Sequence, residues 1–232
     1  MNPTLKEQAL ACIFSWHEKW SRIFPLACRG GCSSCCTRSV TMTGLEGTIL
    51  RNYLEQESKI GQLQELPVLA AGDARPQSTT NQFAAACLQG IETAGEPAGW
   101  NFTPCPFLVD HHCTIYPVRP FSCRAFASLA PCHLSGAADA PSLLLTVNTI
   151  LCQLIEHLDQ GGLWGNMLDV LPALSETGAN TQGELLTCQP CPGLLIPPEE
   201  QEDLEELLAR LFEEPIGSST LGGLLGRGQE GP

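Results

Sequence analysis

The sequence predicts a mainly α protein: an irregular helical domain with one small β-hairpin, organised around a cysteine metal site. Three observations support this fold class. Apolar residues recur at three- and four-residue steps in several segments, one pair of short apolar runs flanks a turn, and 13 of the 232 residues are cysteines, seven of which fall in two bunches. The hydrophobic content of 43% is that of a globular chain, which excludes wholesale disorder.

The amino-terminal elements follow from spacing and capping signals. Apolar residues at helical spacing predict a helix over Thr4–Phe24, which Pro25 ends. A loop rich in glycine, serine and cysteine occupies 26–39. Thr43 and Glu46 then form a capping box, which opens a helix that runs to about Lys59.

The remaining elements are shorter or more interrupted. In order, we predict a helix over 80–92, a hairpin of strands 107–109 and 113–116 with its turn at 110–112, a short helix over 120–127, a strong helix over 143–158, a shorter helix over 164–171, and a helix from Pro198 to about Phe212. We expect a single metal-binding domain over 1–214, with motif halves at 28–46 and 105–126, and a Gly-rich flexible tail over 215–232.

Charge excludes one class of partner. Twenty-five acidic residues against 12 basic ones give a net charge of −13, and no basic stripe is present to displace counterions from phosphate, so we expect no nucleic-acid partner. Eight of the acidic residues lie between Glu199 and Glu214, where the only base is Arg210. A solvated helix face is the first interpretation, and a docking surface for an unknown protein partner is the alternative.

The location of the protein bears on the state of its cysteines. No apolar run reaches the roughly 18 residues of a membrane span, and the first 25 residues have the pattern of an amphipathic helix instead of an export signal. We therefore expect no membrane association and a cytoplasmic location. In such a reducing compartment, clustered cysteines bind metal more often than they form disulfides.

Seven cysteines are candidate metal ligands. Thiolates are soft ligands suited to zinc or iron–sulfur clusters, and a loop containing Gly30 and Gly31 lets several of them converge. The first bunch has the spacing C-x3-C-x2-C-C and the second has C-x7-C-x9-C: Cys28, Cys32, Cys35 and Cys36, then Cys105, Cys113 and Cys123. The alternative reading is buried thiols or disulfides.

The other cysteines and the neighbouring histidines receive separate interpretations. Three cysteines on apolar helix faces, Cys12, Cys87 and Cys152, are predicted to fill the core, and Cys132 carries no assignment. Cys188-x2-Cys191 is a CxxC pair between prolines, for which a plain loop is favoured over metal or redox chemistry. His111 and His112 are predicted to lie in a solvated turn, with metal ligation as the alternative.

The residues around both bunches resemble the CxxCxxCC zinc- or iron-chelating family, also known as the YkgJ-like cysteine-cluster proteins. The resemblance rests on the four-cysteine loop with Val40–Glu46 after it, on C-P-F-L at 105–108, on C-T-I-Y at 113–116, and on R-P-F-S-C-R-A-F at 119–126. One branch of the family is similar to flagellin lysine N-methylases, for which an iron–sulfur cluster and S-adenosylmethionine have been proposed. The resemblance implies metal binding and leaves enzyme activity open, as an iron–sulfur oxidoreductase or a protein-modifying enzyme.

Within this resemblance, Arg119 and Arg124 are candidate cofactor-binding residues. Their charge would stabilise thiolates and neutralise an anionic four-thiolate site, and a salt bridge with Glu46 is the alternative role. Seven cysteines exceed the four that one zinc ion or one [4Fe–4S] cluster takes, so either there are two sites or some cysteines are not ligands.

The irregular cysteine spacing favours [4Fe–4S] over Zn²⁺. Cys28-x3-Cys32-x2-Cys35 also has the spacing of radical S-adenosylmethionine enzymes, whose βαβ alternation a helical chain lacks. The predicted function is therefore an iron–sulfur protein with a redox, electron-transfer or metal-supported modification role. The alternatives are a structural zinc protein that acts as an interaction module, or a methyltransferase similar to the flagellin enzymes.

Overall fold

The computed structural model describes residues 5–69, 75–92, 102–174 and 185–226. Within these ranges the fold is mainly α, as predicted, with short antiparallel strand pairs. The helices are α1 Leu5–Trp20, α2 Gly44–Gln56, α3 Thr80–Leu88, α4 Phe121–Ala125, α5 Cys132–Ser135, α6 Ser142–Leu158, α7 Met167–Ala173, α8 Gln201–Phe212 and α9 Leu221–Leu224. The strands are β1 Thr41–Thr43, β2 Leu108–Val109, β3 His112–Cys113, β4 Leu163–Asn166, β5 Leu186–Thr187, β6 Pro215–Ile216 and β7 Ser219–Thr220.

Helix α6 is the centre of the larger of two hydrophobic clusters. Its buried residues Val147, Ile150 and Leu154 are fully inaccessible to solvent, and they belong to one cluster with Leu10 of α1 and Leu204 of α8. Burying apolar side chains from several helices on one central helix is the main stabilising contribution available to a helical domain. This cluster supports α1, whose carboxyl end leads into the first cysteine loop.

The smaller hydrophobic cluster lies beneath the second cysteine bunch. It joins Met42 of β1, Leu50 of α2 and Val170 of α7 to Phe107 and Ile115, which flank the β2–β3 hairpin. Phe107 and Ile115 are each only 2% exposed, so both ends of the hairpin are anchored in the core. The cysteines of the hairpin are therefore held on a packed base.

The antiparallel sheet β1–β4–β5 was not predicted from the sequence. Thr43 pairs with Trp164, and Leu163 pairs with Thr187. The predicted helix over 164–171 is consequently wrong at its start, because Trp164–Asn166 belongs to strand β4 and the helix begins only at Met167. The pairing with β1, more than 120 residues away, overrides the local apolar pattern.

The predicted flexible tail over 215–232 differs from the structure as far as residue 226. Residues 215–220 form the hairpin β6–β7, and α9 follows with Leu221 fully buried. The six glycines between 215 and 232 suggested fraying, but Leu221 and Leu225 pack into the larger hydrophobic cluster and hold this segment against the core. Residues 227–232 lie outside the described residues.

The acidic segment forms the outer face of α8. Leu204, Leu208 and Leu211 of this helix are buried, whereas Glu206 is exposed and bonds Arg210 at 2.5 Å. The acidic residues at the amino end of the helix complement its dipole. Docking of a protein partner on this face stays a prediction. Within the described ranges, no helix has both the length and the apolar character needed to cross a membrane.

Glu46, Glu156 and Asp159 are three of the buried carboxyl groups in the described part of the chain. Glu156 accepts hydrogen bonds from the backbone N–H groups of Asn81 and Gln189, each at 2.8 Å, and Asp159 accepts one from the N–H of Leu45 at 2.9 Å. Glu46 is described with the metal centre below. Burial raises the pKa of all three carboxyls, although these hydrogen bonds oppose the shift.

The raised pKa of Glu156 predicts a specific pH dependence. A carboxyl with a raised folded-state pKa stabilises the fold most at low pH, and this contribution is lost as the pH rises through that pKa. The stability of Glu156→Gln relative to the native chain should therefore increase between about pH 5 and pH 7. Thermal unfolding at constant ionic strength measures this difference. Comparing the two proteins cancels the opposite contribution of buried His17, whose pKa burial lowers.

If the difference in stability between the two proteins instead stayed constant or fell over this interval, Glu156 would already be ionised in the folded state, and the assigned direction of its pKa shift would be wrong.

Candidate metal centre

Backbone hydrogen bonds join the two halves of the cysteine motif. Cys105 donates its N–H to the carbonyl of Cys36 at 3.0 Å, Arg38 donates its N–H to the carbonyl of Thr103 at 3.0 Å, and an antiparallel bridge links Thr37 to Pro104. Sixty-eight residues separate Cys36 from Cys105 in the sequence, so this contact is what converts two distant motifs into one site.

The hairpin places Cys113 opposite Leu108 in the β2–β3 pair. Its two-residue turn has positive φ at Asp110 (+48°) and His111 (+62°), the backbone conformation of tight hairpin turns in which aspartate and histidine are comparatively tolerated. Thr114 donates its N–H to the carbonyl of Phe107 at 2.8 Å, which closes the hairpin onto its anchored base. The predicted hairpin is therefore present, with strands of two residues each.

Glu46 fixes the helix that carries Cys123. The predicted capping box is present: Thr43 donates its N–H to Glu46 Oε2 at 2.8 Å, and Glu46 donates its N–H to Thr43 Oγ1 at 3.2 Å. The second carboxylate oxygen, Oε1, accepts from the N–H of Phe121 at 2.7 Å, at the start of α4. One buried side chain thus joins the helix that follows the first cysteine bunch to the helix inside the second.

Four thiols from both motif halves form what we call the first thiol group: Cys36, Cys105, Cys113 and Cys123. The side chains of these residues are close enough to influence one another's ionisation. Burial raises the pKa of Cys105 to about 11, and it also raises the pKa of Cys113 and of Cys123. Cys35 donates a hydrogen bond to Cys36, which lowers the pKa of the Cys36 thiol.

Cys28 and Cys32 lie apart from the first thiol group. Both are exposed, and they line a cavity of about 460 Å³ together with Cys132. Cys35 does not line this cavity; its thiol is hydrogen-bonded to Cys36 of the first thiol group. The seven cysteines of the motif are thus neighbours, but they do not surround one point.

The thiols are not arranged as a finished site. Among the residues that the structure describes, no three Cys, His, Asp or Glu side chains have the arrangement that would hold a metal ion. The fold brings the two motif halves into contact, and the role of the seven cysteines as ligands stays a prediction. Metal binding would require rotation of side chains that the backbone already holds close together.

Arg119 and Arg124 contact backbone carbonyls and aromatic rings. Arg119 donates to the carbonyl of Tyr116 at 2.7 Å and covers its ring at 3.7 Å, and it lowers the pKa of Cys113 against the larger effect of burial. Arg124 donates to the carbonyl of Pro117 at 2.7 Å and covers the ring of Phe14 at 4.3 Å. Burial lowers the pKa of Arg124 to about 10. In the described part of the chain, neither guanidinium forms the alternative salt bridge with Glu46.

Arg38 is a site residue that the sequence interpretation missed. It follows Cys36 by two positions, and its charge lowers the pKa of Cys105 against the larger effect of burial. Its Nε is buried and has no hydrogen-bond partner among the residues that the structure describes. The signal was available, because the argument that a cation beside clustered cysteines stabilises thiolates applies to Arg38 as it does to Arg119.

The burial of the remaining cysteines agrees only in part with the prediction. Cys12 and Cys152 pack against the larger hydrophobic cluster as expected, and burial raises the pKa of Cys152 to about 12. Cys87 is exposed, so its assignment to the core is wrong: α3 buries Asn81 and Ala84 instead. Cys188 is buried in a loop, where burial strongly raises the pKa of its thiol and opposes redox reactivity.

Both histidines are exposed at the tip of the hairpin, in agreement with the predicted solvated turn. His111 Nδ1 lies 3.0 Å from Ser33 Oγ, and His112 Nδ1 lies 2.7 Å from the carbonyl oxygen of Asp110. Both contacts are exposed; the contact of His112 is local to the hairpin tip, whereas that of His111 joins the tip to Ser33 in the first cysteine loop. Metal ligation by either histidine is untested.

Comparison with known proteins places the motif in a family. Residues 27–140, just under half of the chain, match the model described as "CxxCxxCC: Putative zinc- or iron-chelating domain". Neither the curated proteins nor the solved structures include a significant match. The matched range contains the first thiol group, the cavity and Arg38. Residues 27–140 of this chain therefore belong to the CxxCxxCC family.

Proposed function

We propose that the domain binds a metal centre through the first thiol group, and that this centre is an iron–sulfur cluster. The observation that carries the proposal is the meeting of four cysteines from two distant motif halves around one backbone contact, Cys105 N–H to the Cys36 carbonyl. Four thiolates are the ligand set of a [4Fe–4S] cluster, and they equally match a structural zinc site.

The surrounding residues fit a negatively charged centre. Four thiolates leave either kind of centre with net negative charge, and the buried Nε of Arg38 is a hydrogen-bond donor without a partner. A sulfur of the centre would supply that partner. Burial otherwise makes Cys105, Cys113 and Cys123 hard to ionise, so we expect metal binding to release protons and to stabilise the fold.

Two features favour iron–sulfur over zinc. The spacing of the cysteines is irregular, which clusters tolerate better than the paired knuckles of structural zinc sites. Cys35 donates to the sulfur of Cys36, and hydrogen bonds to ligating sulfurs tune the potential of a cluster. When bound, a cluster would supply a one-electron couple, which supports a role in electron transfer or in a metal-supported modification.

A structural zinc protein is the second candidate. It is favoured by the number of cysteines in the first thiol group, since zinc needs four ligands and no further donor from the protein. In that case the centre would hold the motif halves together, and the domain would act as an interaction module. The methyltransferase alternative has no specific observation in its favour among the described residues.

Anaerobic purification followed by metal analysis distinguishes the candidates. An iron–sulfur centre predicts a brown protein with broad visible absorption and equal amounts of iron and acid-labile sulfide. A colourless protein with stoichiometric zinc would support the second candidate and exclude the first. The variant Cys87→Ser, at an exposed cysteine away from the motif, should retain the full metal content and serves as the control.

A further inference from the structure

Helix α4, which carries Cys123, is held at its carboxyl end by a side chain from α6. Asn148 donates its Nδ2–H to the carbonyl of Ala125, the last residue of α4, at 2.9 Å. A helix of five residues depends on such contacts for its position, because it is too short to be stable alone. Since the amide nitrogen of Asn148 is a donor here, its Oδ1 is available as an acceptor.

His17 of α1 supplies the donor for Asn148 Oδ1. Its Nε2 lies 2.8 Å from that oxygen, and the side chain is only 6% exposed. Because Oδ1 can only accept, the hydrogen-bond pattern assigns the proton of the neutral ring to Nε2 and leaves Nδ1 unprotonated. The His17 ring also packs edge-on against Phe121, with ring centroids 5.0 Å apart, at the other end of α4. One buried imidazole thus contacts the start of α4 and supports the contact at its end.

The surroundings of His17 oppose its protonation. Burial lowers the pKa of His17, and the charges of Arg124 and Arg119 add to this shift, against the hydrogen bond to Asn148. Arg124 is held in this region because its guanidinium covers the ring of Phe14, one turn before His17 on α1, at 4.3 Å. An imidazolium at this position would therefore be buried beside cations.

The nearby carboxylate of Glu18 does not compensate for these cations. It favours the charged form of His17, but its effect is smaller than those of Arg124 and Arg119. Glu18 is exposed and pairs with Arg22 at 3.1 Å, so solvent and the arginine screen its charge. The packing consequently accommodates the neutral imidazole and not the charged one.

We propose that His17 and Asn148 position α4 for the metal centre, and that protonation of His17 releases this helix, so that acid weakens the centre. This inference rests on the proposed function, because it assumes that Cys123 is a ligand. A proton from solvent binds Nδ1, and the charged ring leaves its buried place. Asn148 then loses its donor and Phe121 loses its ring contact at the same time, so both ends of α4 are loosened together.

The sign of the pH dependence follows from linkage. The folded state binds this proton less readily than the unfolded state, because burial disfavours the charged ring. The stabilising contribution of His17 is therefore present at neutral pH, and it is lost as the pH falls through the pKa of His17 in the folded state.

Hydrogen exchange of α4 in the reduced, metal-free chain tests the positioning role without depending on metal. His17→Phe keeps an aromatic ring and loses the hydrogen bond, whereas His17→Gln keeps a donor at a similar reach and does not titrate. At about pH 7, the amides of α4 should exchange about tenfold faster in His17→Phe than in the native chain, and at the native rate in His17→Gln. Between about pH 7 and pH 4, the native chain should come to exchange faster than His17→Gln.

Zinc retention supplies a second measurement, and His157 supplies the matched control. After loading with Zn²⁺ and desalting at a series of pH values, the native chain should release zinc at a higher pH than His17→Gln does. His157 lies near the carboxyl end of α6, where its Nε2 bonds the carbonyl of Leu225 at 3.2 Å. His157→Gln should therefore match the native chain both in zinc release and in the exchange of α4.

Each outcome decides one part of the proposal. Equal exchange of α4 in the native chain and His17→Phe at neutral pH would overturn the positioning role. A constant ratio of exchange rates between the native chain and His17→Gln down to about pH 4 would overturn the release by acid. A native chain that retains no zinc would contradict the proposed function, and the exchange measurements would still decide the role of His17.

A measurement on the native chain covers the case in which a variant does not fold, which circular dichroism detects. Titration of the His17 ring by nuclear magnetic resonance should give a pKa below the ordinary value of about 6.5. The amides of α4 should lose protection over the same pH range. A pKa at or above the ordinary value, or protection of α4 that is unchanged through the titration, would contradict the proposal.

Discussion

Replacing Cys105 with serine is expected to remove the metal of the first thiol group and much of the stability of the domain. A ligand that binds only the folded state at about 1,000 times its Kd contributes about 4 kcal/mol. For a chain of this size, that loss lowers Tm by about 8–16 °C. The backbone bond from Cys105 N–H to the Cys36 carbonyl does not involve the replaced atom and should persist. Metal analysis and thermal unfolding of the same samples measure both effects.

The cause of the loss can be separated from simple damage to the core. Once a chelator has removed the metal from both proteins, native chain and Cys105→Ser should differ in free energy of unfolding by less than about 1 kcal/mol. A large difference that survives metal removal would mean that Cys105 stabilises the fold by packing. Retention of metal by the variant would show that Cys105 is not a ligand.

Replacing Glu46 with alanine is expected to have the second largest effect. Its carboxylate is the acceptor for the backbone N–H groups of Thr43 and Phe121, and leaving a buried donor without a partner costs about 1–3 kcal/mol. With two donors affected, we expect a loss of about 3 kcal/mol and a decrease in Tm of about 6–12 °C. Because Phe121 begins the helix that carries Cys123, metal affinity should fall as well, although Glu46 is not a ligand.

The chain offers a matched control for this variant. Helix α3 begins with the same capping arrangement, in which the N–H of Thr79 donates to the side chain of exposed Gln82 at 2.9 Å. Gln82→Ala should cost only about 1 kcal/mol and leave metal affinity unchanged. If Glu46→Ala and Gln82→Ala cost the same small amount of stability, Glu46 would be an ordinary cap. Its hydrogen bond to the second motif half would then add no measurable stability.

Local signals were sufficient for most helices. The capping box at Thr43 and the apolar period of α6 depend on residues within one or two turns, so the sequence displays them. The sheet that joins β1, β4 and β5 could not be predicted in this way. Its strands are two to four residues long, and Thr43 and Trp164 carry no sign that they pair with each other. The prediction of a flexible tail was wrong over residues 215–226 for a related reason, because the burial of Leu221 depends on the surface of a helix that is distant in the sequence.

The candidate site was predictable in composition and not in arrangement. Cysteine spacing identified the seven motif thiols, but the meeting of the two bunches depends on contacts such as Cys105 with Cys36, which no spacing rule contains. Cys132 has no motif around it and is recognisable only by its position on the cavity wall. Arg38 was within reach of the sequence argument and was overlooked beside the more prominent Arg119 and Arg124.

The bridge between Thr37 and Pro104 has a consequence for the chain that runs between the motif halves. Because the bridge and the adjacent bond between Cys36 and Cys105 fix the two ends of that segment, its length has no direct influence on the thiols. The entropy of closing a loop grows only slowly with length, by about 0.6 kcal/mol for each doubling. The cysteines can therefore keep their geometry when this segment changes in length outside β1 and α2, which carry Met42, Glu46 and Leu50.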